Sequence, residues 1–444
     1  MLEDIISERK RKLNELTQAR VNPYPSRTGR TILIRDLLED FAKLLKAGKP
    51  LTASGRVLRL RDQGNLIFAD IKDESGKAQI ILKKDNLPNF KLLKGALDIG
   101  DFLEVAGVPL KTKSGEKSVE AKTARFLAKS LRPLPSEWYG LKDAEERFRK
   151  RYLDLILNPE AKARLMTRSD VIRSLREFLY AEGFLEVETP VLQTLPGGAK
   201  AKPFQTHHNA LDQDFYLRIA PELFLKRLLI GGFEKVFELG KVFRNEGIDR
   251  DHNPEFTMLE LYLAYEDWKG LMKFTQKMLK KFLPGKWETT TYGDAFKKFA
   301  KKDIKSVPAG EIDETFKKEV RPKIVRPTFV THYPKSISPL AKSSEGNPEL
   351  TERFQLIVGG SEIVNGFSEL NDPIDQRARM ELQEKEFRAG NEEASRMDED
   401  FLEALEYGMP PAAGLGLGVD RLVALVTESH NVKEIIAFPT LRDK

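Results

Sequence analysis

Residues Phe233 to Asp267, FEKVFELGKVFRNEGIDRDHNPEFTMLELYLAYED, constrain this chain more than any other stretch of it. They read as two strands joined by a polar loop, with more charge than a strand pair without a ligand has use for. Side chains alternate between the two faces of an extended strand. That alternation predicts Arg244 and Glu246 pointing one way on the first strand, and Phe256, Met258, Glu260 and Tyr262 sharing a face on the second. One face then offers a cation, carboxylates and an aromatic plane. The set suits a nucleoside triphosphate and an amine: arginine for phosphate oxygens, phenylalanine for a base, glutamates for amino groups. Cross-strand ion pairing on a solvated hairpin explains any one of these residues as well, but not the combination.

With 444 residues the chain has length for more than one domain and a large core. Hydrophobic residues at 40% and charged residues at 32% fit a folded globular protein and exclude a disordered one. No apolar run is long enough to span a bilayer, and the start, MLEDIISERKRK, lacks the pattern of a signal peptide, so the expectation is a cytoplasmic protein without membrane contact. The absence of cysteine excludes disulfides and thiolate-bound zinc, and five His without an HExxH pattern argue against a dedicated zinc site. Magnesium carried by a nucleotide stays open. A net charge of +6 is compatible with a polyanionic partner, and the run Arg9 to Lys12 adds basic character to the N-terminal third. Such a run is more often a solvated helix face than a binding site.

Residues 1–50 read as a helical extension broken at VNPYPSRTGR. Over 51–132, the segments LTASGRVLRLR, NLIFADIK, GKAQIIL, DFLEVAGV and SVEAKTARFL read as strands, with a helix-like NLPNFKLLK between the third and fourth. Five strands in that order predict an OB barrel, a fold used on single-stranded nucleic acid. A linker over 133–150 leads to one large α/β unit, 151–444. In it, Val171, Leu175, Phe178 and Leu179 recur at helical spacing up to a stop at Gly183. Lys-rich residues 270–335 read as an accessory insertion with no assigned site. Near the C-terminus, GLGLGVDR is a poor dinucleotide loop, because too little chain follows to build the strand and acidic ribose contact. It reads better as a glycine-rich strand on which a flat ligand can lie closely, followed by a helix whose first turn holds Arg421.

In three segments the chain resembles the class II aminoacyl-tRNA synthetases, and among them the bacterial-type lysyl-tRNA synthetases. The hairpin looks like the second signature motif of that class, GFLEVETPVLQ from Gly183 like the first, and GLGLGVDRLVAL from Gly414 like the third. Lysine-type context lies around and between them: PGGAKAKPF from Pro196, THHNALDQDFYLRIAPELFLKRL from Thr206, SPLAKSSEGNPELTERF from Ser338 and EIVNGFSELNDPIDQR from Glu362. The resemblance covers nearly the whole chain. It implies an N-terminal OB barrel that holds the tRNA anticodon, and a catalytic domain built on an antiparallel sheet flanked by helices.

Residue by residue, the resemblance implies that Arg244, Glu246, His252, Asn253, Phe256 and Arg421 bind ATP, with Arg244 and Arg421 carrying the chemistry. It places Gly198, Glu222, Glu260, Tyr262, Asn365, Phe367 and Glu369 around L-lysine. Glu222 takes the α-amino group, while Glu369 and Tyr262 take the side-chain ammonium. An aspartate pocket needs a cation where this chain has Glu369. Glu362 and Gln355 stand at the Mg2+ position, Gln355 in ERFQL replacing a usual glutamate and so lowering the charge of the site. Arg61, Phe68 and Gln79 match the anticodon contacts, although Phe68 fits a barrel core equally well, and Arg61 and Gln79 fit exposed bystanders. His252 fits a phosphate contact and a solvated loop residue about evenly. The helix through Leu179 and the strand after it imply a homodimer contact, or else an ordinary core helix.

The resemblance thus implies a lysine–tRNA ligase acting on ATP, L-lysine and tRNA(Lys). Two alternatives stand beside it: a paralogue loading lysine or an analogue onto a protein, and a non-catalytic RNA-binding relative. The barrel argues against the former, and retention of Arg244 and Arg421 against the latter.

Overall fold

The computed structural model describes residues 2–135, 141, 143–391 and 393–443. The chain divides into two compact units, Met1–Leu141 and Lys142–Lys444. Residues 136–140 and 142 of the expected linker lie outside the described residues.

The first unit begins with helix α1 (Leu2–Gln18) and continues into strands β1 (Leu51–Asp62), β2 (Leu66–Lys72) and β3 (Lys77–Lys83), helix α2 (Phe90–Ala96), and strands β4 (Phe102–Lys111) and β5 (Lys117–Ala128). The strands close into a barrel in the order β1-β2-β3-β5-β4. Alternation drives the closure: Ile67, Ala69 and Ile71 of β2 are buried while their neighbours are partly exposed. The Asp73 carboxylate accepts from the backbone N–H groups of Ser75 at 2.7 Å and Gly76 at 3.0 Å, which sets the turn into β3. Helix α1 packs on this barrel through Leu16. Its basic run is largely spent internally. Buried Arg9 donates to the carbonyls of Ser130 and Arg132 at 3.1 Å and of Ile99 at 3.0 Å, Lys12 pairs with Asp98 at 2.7 Å, and Arg11 pairs with Glu8 at 2.6 Å.

The second unit is built on an eight-stranded sheet. Its strands are β6 (Leu185–Glu186), β7 (Lys235–Phe243), β8 (Glu255–Ala264), β9 (Glu288–Thr291), β10 (Thr328–Thr331), β11 (Arg353–Val358), β12 (Ser361–Ser368) and β13 (Ala412–Gly418), in the order β9-β10-β11-β12-β13-β8-β7-β6. Pairing is antiparallel except at the two edges, β9 with β10 and β6 with β7. One face carries Phe237, Leu259, Leu261, Leu263, Val364, Leu415 and Leu417. Helices α3 (Pro159–Ala181), α5 (Trp268–Leu279) and α6 (Val419–Val426) bury that face with Leu175, Leu271 and Leu422. Helix α4 (Glu222–Ile230), between α3 and α5 in the chain, packs with Tyr262 in a second cluster beyond the opposite face.

Two expectations are corrected here. Arg244 and Glu246 do not share a strand face, because β7 ends at Phe243 and both residues belong to the loop 244–254. One further backbone bond, Arg244 N–H to Pro254 O at 2.8 Å, fixes where that loop leaves the sheet. The Lys-rich segment is also less of an insertion than 270–335. Helix α5 lies in the main core, and β9 and β10 are sheet strands. What lies between β9 and β10 is a set of short helical turns carrying Phe296 and Phe316, which cluster with Tyr333 from beyond β10, and Tyr292 is stacked on Phe316 at 4.4 Å.

Candidate functional site

The repeat GLGLG now has a structural meaning. On β13 the leucines 415 and 417 enter the core while glycines 414, 416 and 418 face the other side, where β8 presents Met258, Glu260 and Tyr262 opposite them. A Cβ on Gly414 would come within 2.3 Å of the Tyr262 ring and 2.5 Å of Glu369 Oε1. Only glycine leaves room there for both.

At this end of the face, α4 delivers Glu222 and, one turn later, Lys226. The Lys226 ammonium is fully buried, donates to Glu222 Oε1 at 2.6 Å and lies 2.5 Å from Glu369 Oε2. It also lies 5.5 Å from the centre of the Phe367 ring. Gly198, at φ +86°, brings its loop so close to Glu222 that a Cβ would meet the glutamate's own Cβ at 2.8 Å. Tyr262 donates to Glu260 Oε2 at 3.3 Å. Asn365 Oδ1 accepts from Arg353 Nε at 2.8 Å.

Burial sets the electrostatics of this cluster. It pushes Glu369 up to about 8, with Lys226 pulling the other way. Burial, reinforced by Glu222, raises Glu260 well above the carboxylate range and also raises Tyr262. Burial pulls the Lys226 ammonium down, but Glu222 and Glu369 outweigh it and hold it above the ordinary lysine value. Glu369 Oε1 is buried with no hydrogen-bond partner among the described residues. A buried acceptor left open, walled by an aromatic ring, can receive an ammonium ion.

The other end of the face is cationic. The Arg244 guanidinium lies 5.1 Å from the centre of the Phe256 ring, and its Nε is buried without a hydrogen-bond partner among the described residues. Burial, with Arg421 close by, pulls Arg244 below the usual guanidinium value. A half-buried cation whose inner nitrogen has no partner among the described residues is matched to an anion. In the loop, Glu246 is exposed, whereas Asn253 is buried, donating to Glu255 O at 2.8 Å and leaving Oδ1 without a partner. His252 Nε2 meets Arg421 Nη2 at 2.9 Å, and Arg421 Nη1 donates to the carbonyl of Glu362 at 3.1 Å.

Glu362 reaches this face through a bulge. The register of β11 and β12 slips at Ile363, so Ile363 and Val364 are both buried in the core and Glu362 falls with Asn365 on the opposite side. Gln355, the register partner of Asn365, is buried and accepts from the Tyr333 hydroxyl at 2.8 Å. Among the described residues no three His, Asp or Glu side chains converge as a metal site. The donors present, one carboxylate and an amide oxygen already bonded to Tyr333, fit a metal that brings most of its ligands with a bound phosphate group.

On the barrel, Arg61 and Phe68 are register partners on β1 and β2, with the guanidinium 5.4 Å from the ring centre. Phe68 is half-buried and out of phase with the inward Ile67 and Ala69, so it is not a barrel-core residue. Gln79 lies two residues along on β3, opposite Asp70, but is buried and accepts from Ser118 Oγ at 2.9 Å. The face therefore offers a cation on an aromatic plane, with Gln79 held by Ser118 on the neighbouring strand β5.

Two groups in the cleft escaped the sequence reading. Lys226 sits on the inward stripe of α4 with Leu225 and Leu229, and a lysine four residues after a glutamate within an apolar run was a usable signal. Glu238, opposite Glu260 on β7, is ion-paired with buried Arg218 and accepts from Thr189 Oγ1 at 2.6 Å. That contact joins segments distant in sequence, and nothing local announces it.

Comparison with known proteins agrees with this fold. Residues 143–442 match the family described as tRNA synthetases class II (D, K and N), and residues 51–127 match the OB-fold nucleic acid binding domain. The chain is 45% identical to a lysine–tRNA ligase of Pelotomaculum thermopropionicum, over 100% of this chain and 96% of that one. It is also 45% identical to those of Moorella thermoacetica, over 99% and 98%, and Carboxydothermus hydrogenoformans, over 100% and 99%.

Proposed function

The chain belongs to the class II tRNA synthetases of the D, K and N group, and from that premise we propose that it is an ATP-dependent lysine–tRNA ligase. The lysine carboxylate attacks the α-phosphorus of ATP, forming lysyl-adenylate and releasing pyrophosphate. The lysyl group then passes to the 3′ end of tRNA(Lys), and AMP leaves. Neither step needs a protein nucleophile, so the work of the site is positioning and charge stabilisation.

Arg244 and Arg421 take the phosphate oxygens, Phe256 the adenine face and Glu246 the adenine amino group. His252 and Asn253 shape the phosphate end from the loop. Glu222 receives the α-ammonium of lysine and Glu369 its side-chain ammonium, with Tyr262, Glu260, Asn365, Phe367 and Gly198 forming the walls. A divalent metal accompanies ATP in this chemistry. We take it to be Mg2+, with Glu362 as the carboxylate that holds it and Gln355 contributing an uncharged oxygen at most.

One observation carries the lysine assignment: the open, buried oxygen of Glu369 lies beside the Tyr262 ring, where it offers an acceptor for an ammonium and none for the carboxylate of an acidic amino acid. The barrel pair Arg61 and Phe68 favours tRNA as acceptor over a protein. We place the reaction in the cytoplasm with its substrates. We also infer a homodimer, because Tyr180, Leu185, Val191 and Leu192 form an exposed apolar run across the end of α3 and the segment after it. ATP–pyrophosphate exchange measured with each amino acid in turn, followed by transfer to tRNA, tests the function. Exchange with lysine and charging of tRNA(Lys) is expected. Exchange without transfer would point to a protein acceptor, and no exchange with any amino acid to a non-catalytic relative.

A further inference from the structure

We propose that Lys226 is a positioning residue of the lysine pocket: its ammonium holds one oxygen of Glu222 and one of Glu369, and so aims the remaining oxygen of each at the two ammonium groups of the substrate. The inference rests on the lysine reading above and deepens it.

Three observations carry it. Lys226 Nζ lies 2.6 Å from Glu222 Oε1 and 2.5 Å from Glu369 Oε2, which pins two carboxylates from different elements on either side of one cation. At Glu369 the pin is an ion pair to Oε2 alone; neither oxygen of this carboxylate has a hydrogen-bond partner among the described residues, and Oε1 is the one the pin leaves open. Lys226 itself is fully buried on the inward stripe of α4, against the Phe367 ring. Swinging it aside to admit a substrate ammonium would leave a buried charge without its counter-ions, which is strongly unfavourable. The ammonium therefore stays, and the ligand binds around it.

Specificity follows from the fixed spacing. An α,ω-diamino acid must place its two ammonium groups on two carboxylates whose separation Lys226 sets, so the pocket measures side-chain length. A chain one methylene shorter, as in ornithine, reaches only one of them. Without the pin nothing holds the two carboxylates on either side of one cation, and the measure is lost.

The test is Lys226→Met in ATP–pyrophosphate exchange with lysine and with ornithine. The KM for lysine should rise about tenfold or more while that for ATP stays within about twofold, and the lysine-to-ornithine ratio of kcat/KM should fall about tenfold, the scale of one methylene in a shaped pocket. A lower lysine KM would mean that Lys226 is a competing occupant, and an unchanged KM or an intact ratio would make it a structural residue only. Each of these overturns the proposal. If Lys226→Met fails to fold, a crystal structure of the wild-type protein with lysine bound decides. Lys226 should still contact both carboxylates, with the ligand ammonium groups on the other oxygens, and a displaced Lys226 side chain refutes the inference. Wild-type protein showing no lysine-dependent exchange would instead end the proposed function itself.

Discussion

Arg421 donates from Nη2 to Nε2 of His252 across 2.9 Å, although the two are 169 residues apart in the chain. Arginine has no acceptor, so Nε2 accepts and the imidazole proton sits on Nδ1, which donates to Asp249 at 2.8 Å. The β7–β8 loop is thereby latched to the first turn of α6.

His252→Ala removes the latch and leaves Arg421 anchored by the Glu362 carbonyl. A hydrogen bond to a charged group is worth about 1.5–3 kcal/mol, so the KM for ATP should rise roughly tenfold or more with the lysine KM unchanged. Steady-state exchange kinetics check this. An unchanged ATP KM would show His252 to be a solvated loop residue.

Arg244→Ala should leave the melting temperature close to that of the wild type, because Arg244 Nε has no hydrogen bond to lose among the described residues. Adenylate formation should fall roughly 100-fold or more, the scale for one preorganised charge-stabilising donor. Near-normal exchange in the folded variant would remove Arg244 from the chemistry.

Patterns of period two were legible in the sequence. The alternation of Leu415 and Leu417 with glycines 414, 416 and 418 separates core from cleft, and Glu260 and Tyr262 on β8 follow the same rule. Features that depend on where a strand stops or slips were not. Arg244 falls one residue past β7, and Glu362 shares a face with Asn365 only because Ile363 is an extra residue in β12. The partners of Gln355 and Glu369 come from other elements, Tyr333 before β11 and Lys226 on α4, and only the folded chain brings them together. The Lys-rich segment was misjudged because its α5 and flanking strands carry ordinary core residues between exposed lysines.

Phe68→Ala should raise the KM for tRNA by about tenfold, since stacking a base on an aromatic ring is worth about 1–3 kcal/mol, and leave tRNA-independent exchange untouched. The outward, half-buried ring under Arg61 should tolerate truncation without unfolding. Unaltered aminoacylation would mark it as a bystander.

Gln355→Glu restores a negative charge beside Glu362 and keeps an oxygen for the Tyr333 hydroxyl. The Mg2+ titration of exchange should shift to lower concentration, whereas Glu362→Gln should nearly abolish activity at any practical Mg2+ level. Superimposable titrations for wild type and Gln355→Glu would mean that the substrate phosphates supply the metal's ligands unaided.

The central claim, that Glu369 selects lysine by its ammonium, is tested most directly by the lysine KM of wild type and Glu369→Gln across pH. Burial raises Glu369 to about 8, with Lys226 and Glu222 from α4 as its charged neighbours, so at neutral pH the free pocket holds a proton that lysine must displace. The wild-type lysine KM should therefore fall as pH rises from about 6.5 to about 8.5. In Glu369→Gln it should be raised about 10- to 100-fold, show no such fall, and leave the ATP KM within about twofold. Equal losses of lysine and ATP affinity in the variant, or the same pH profile in both proteins, would contradict the account.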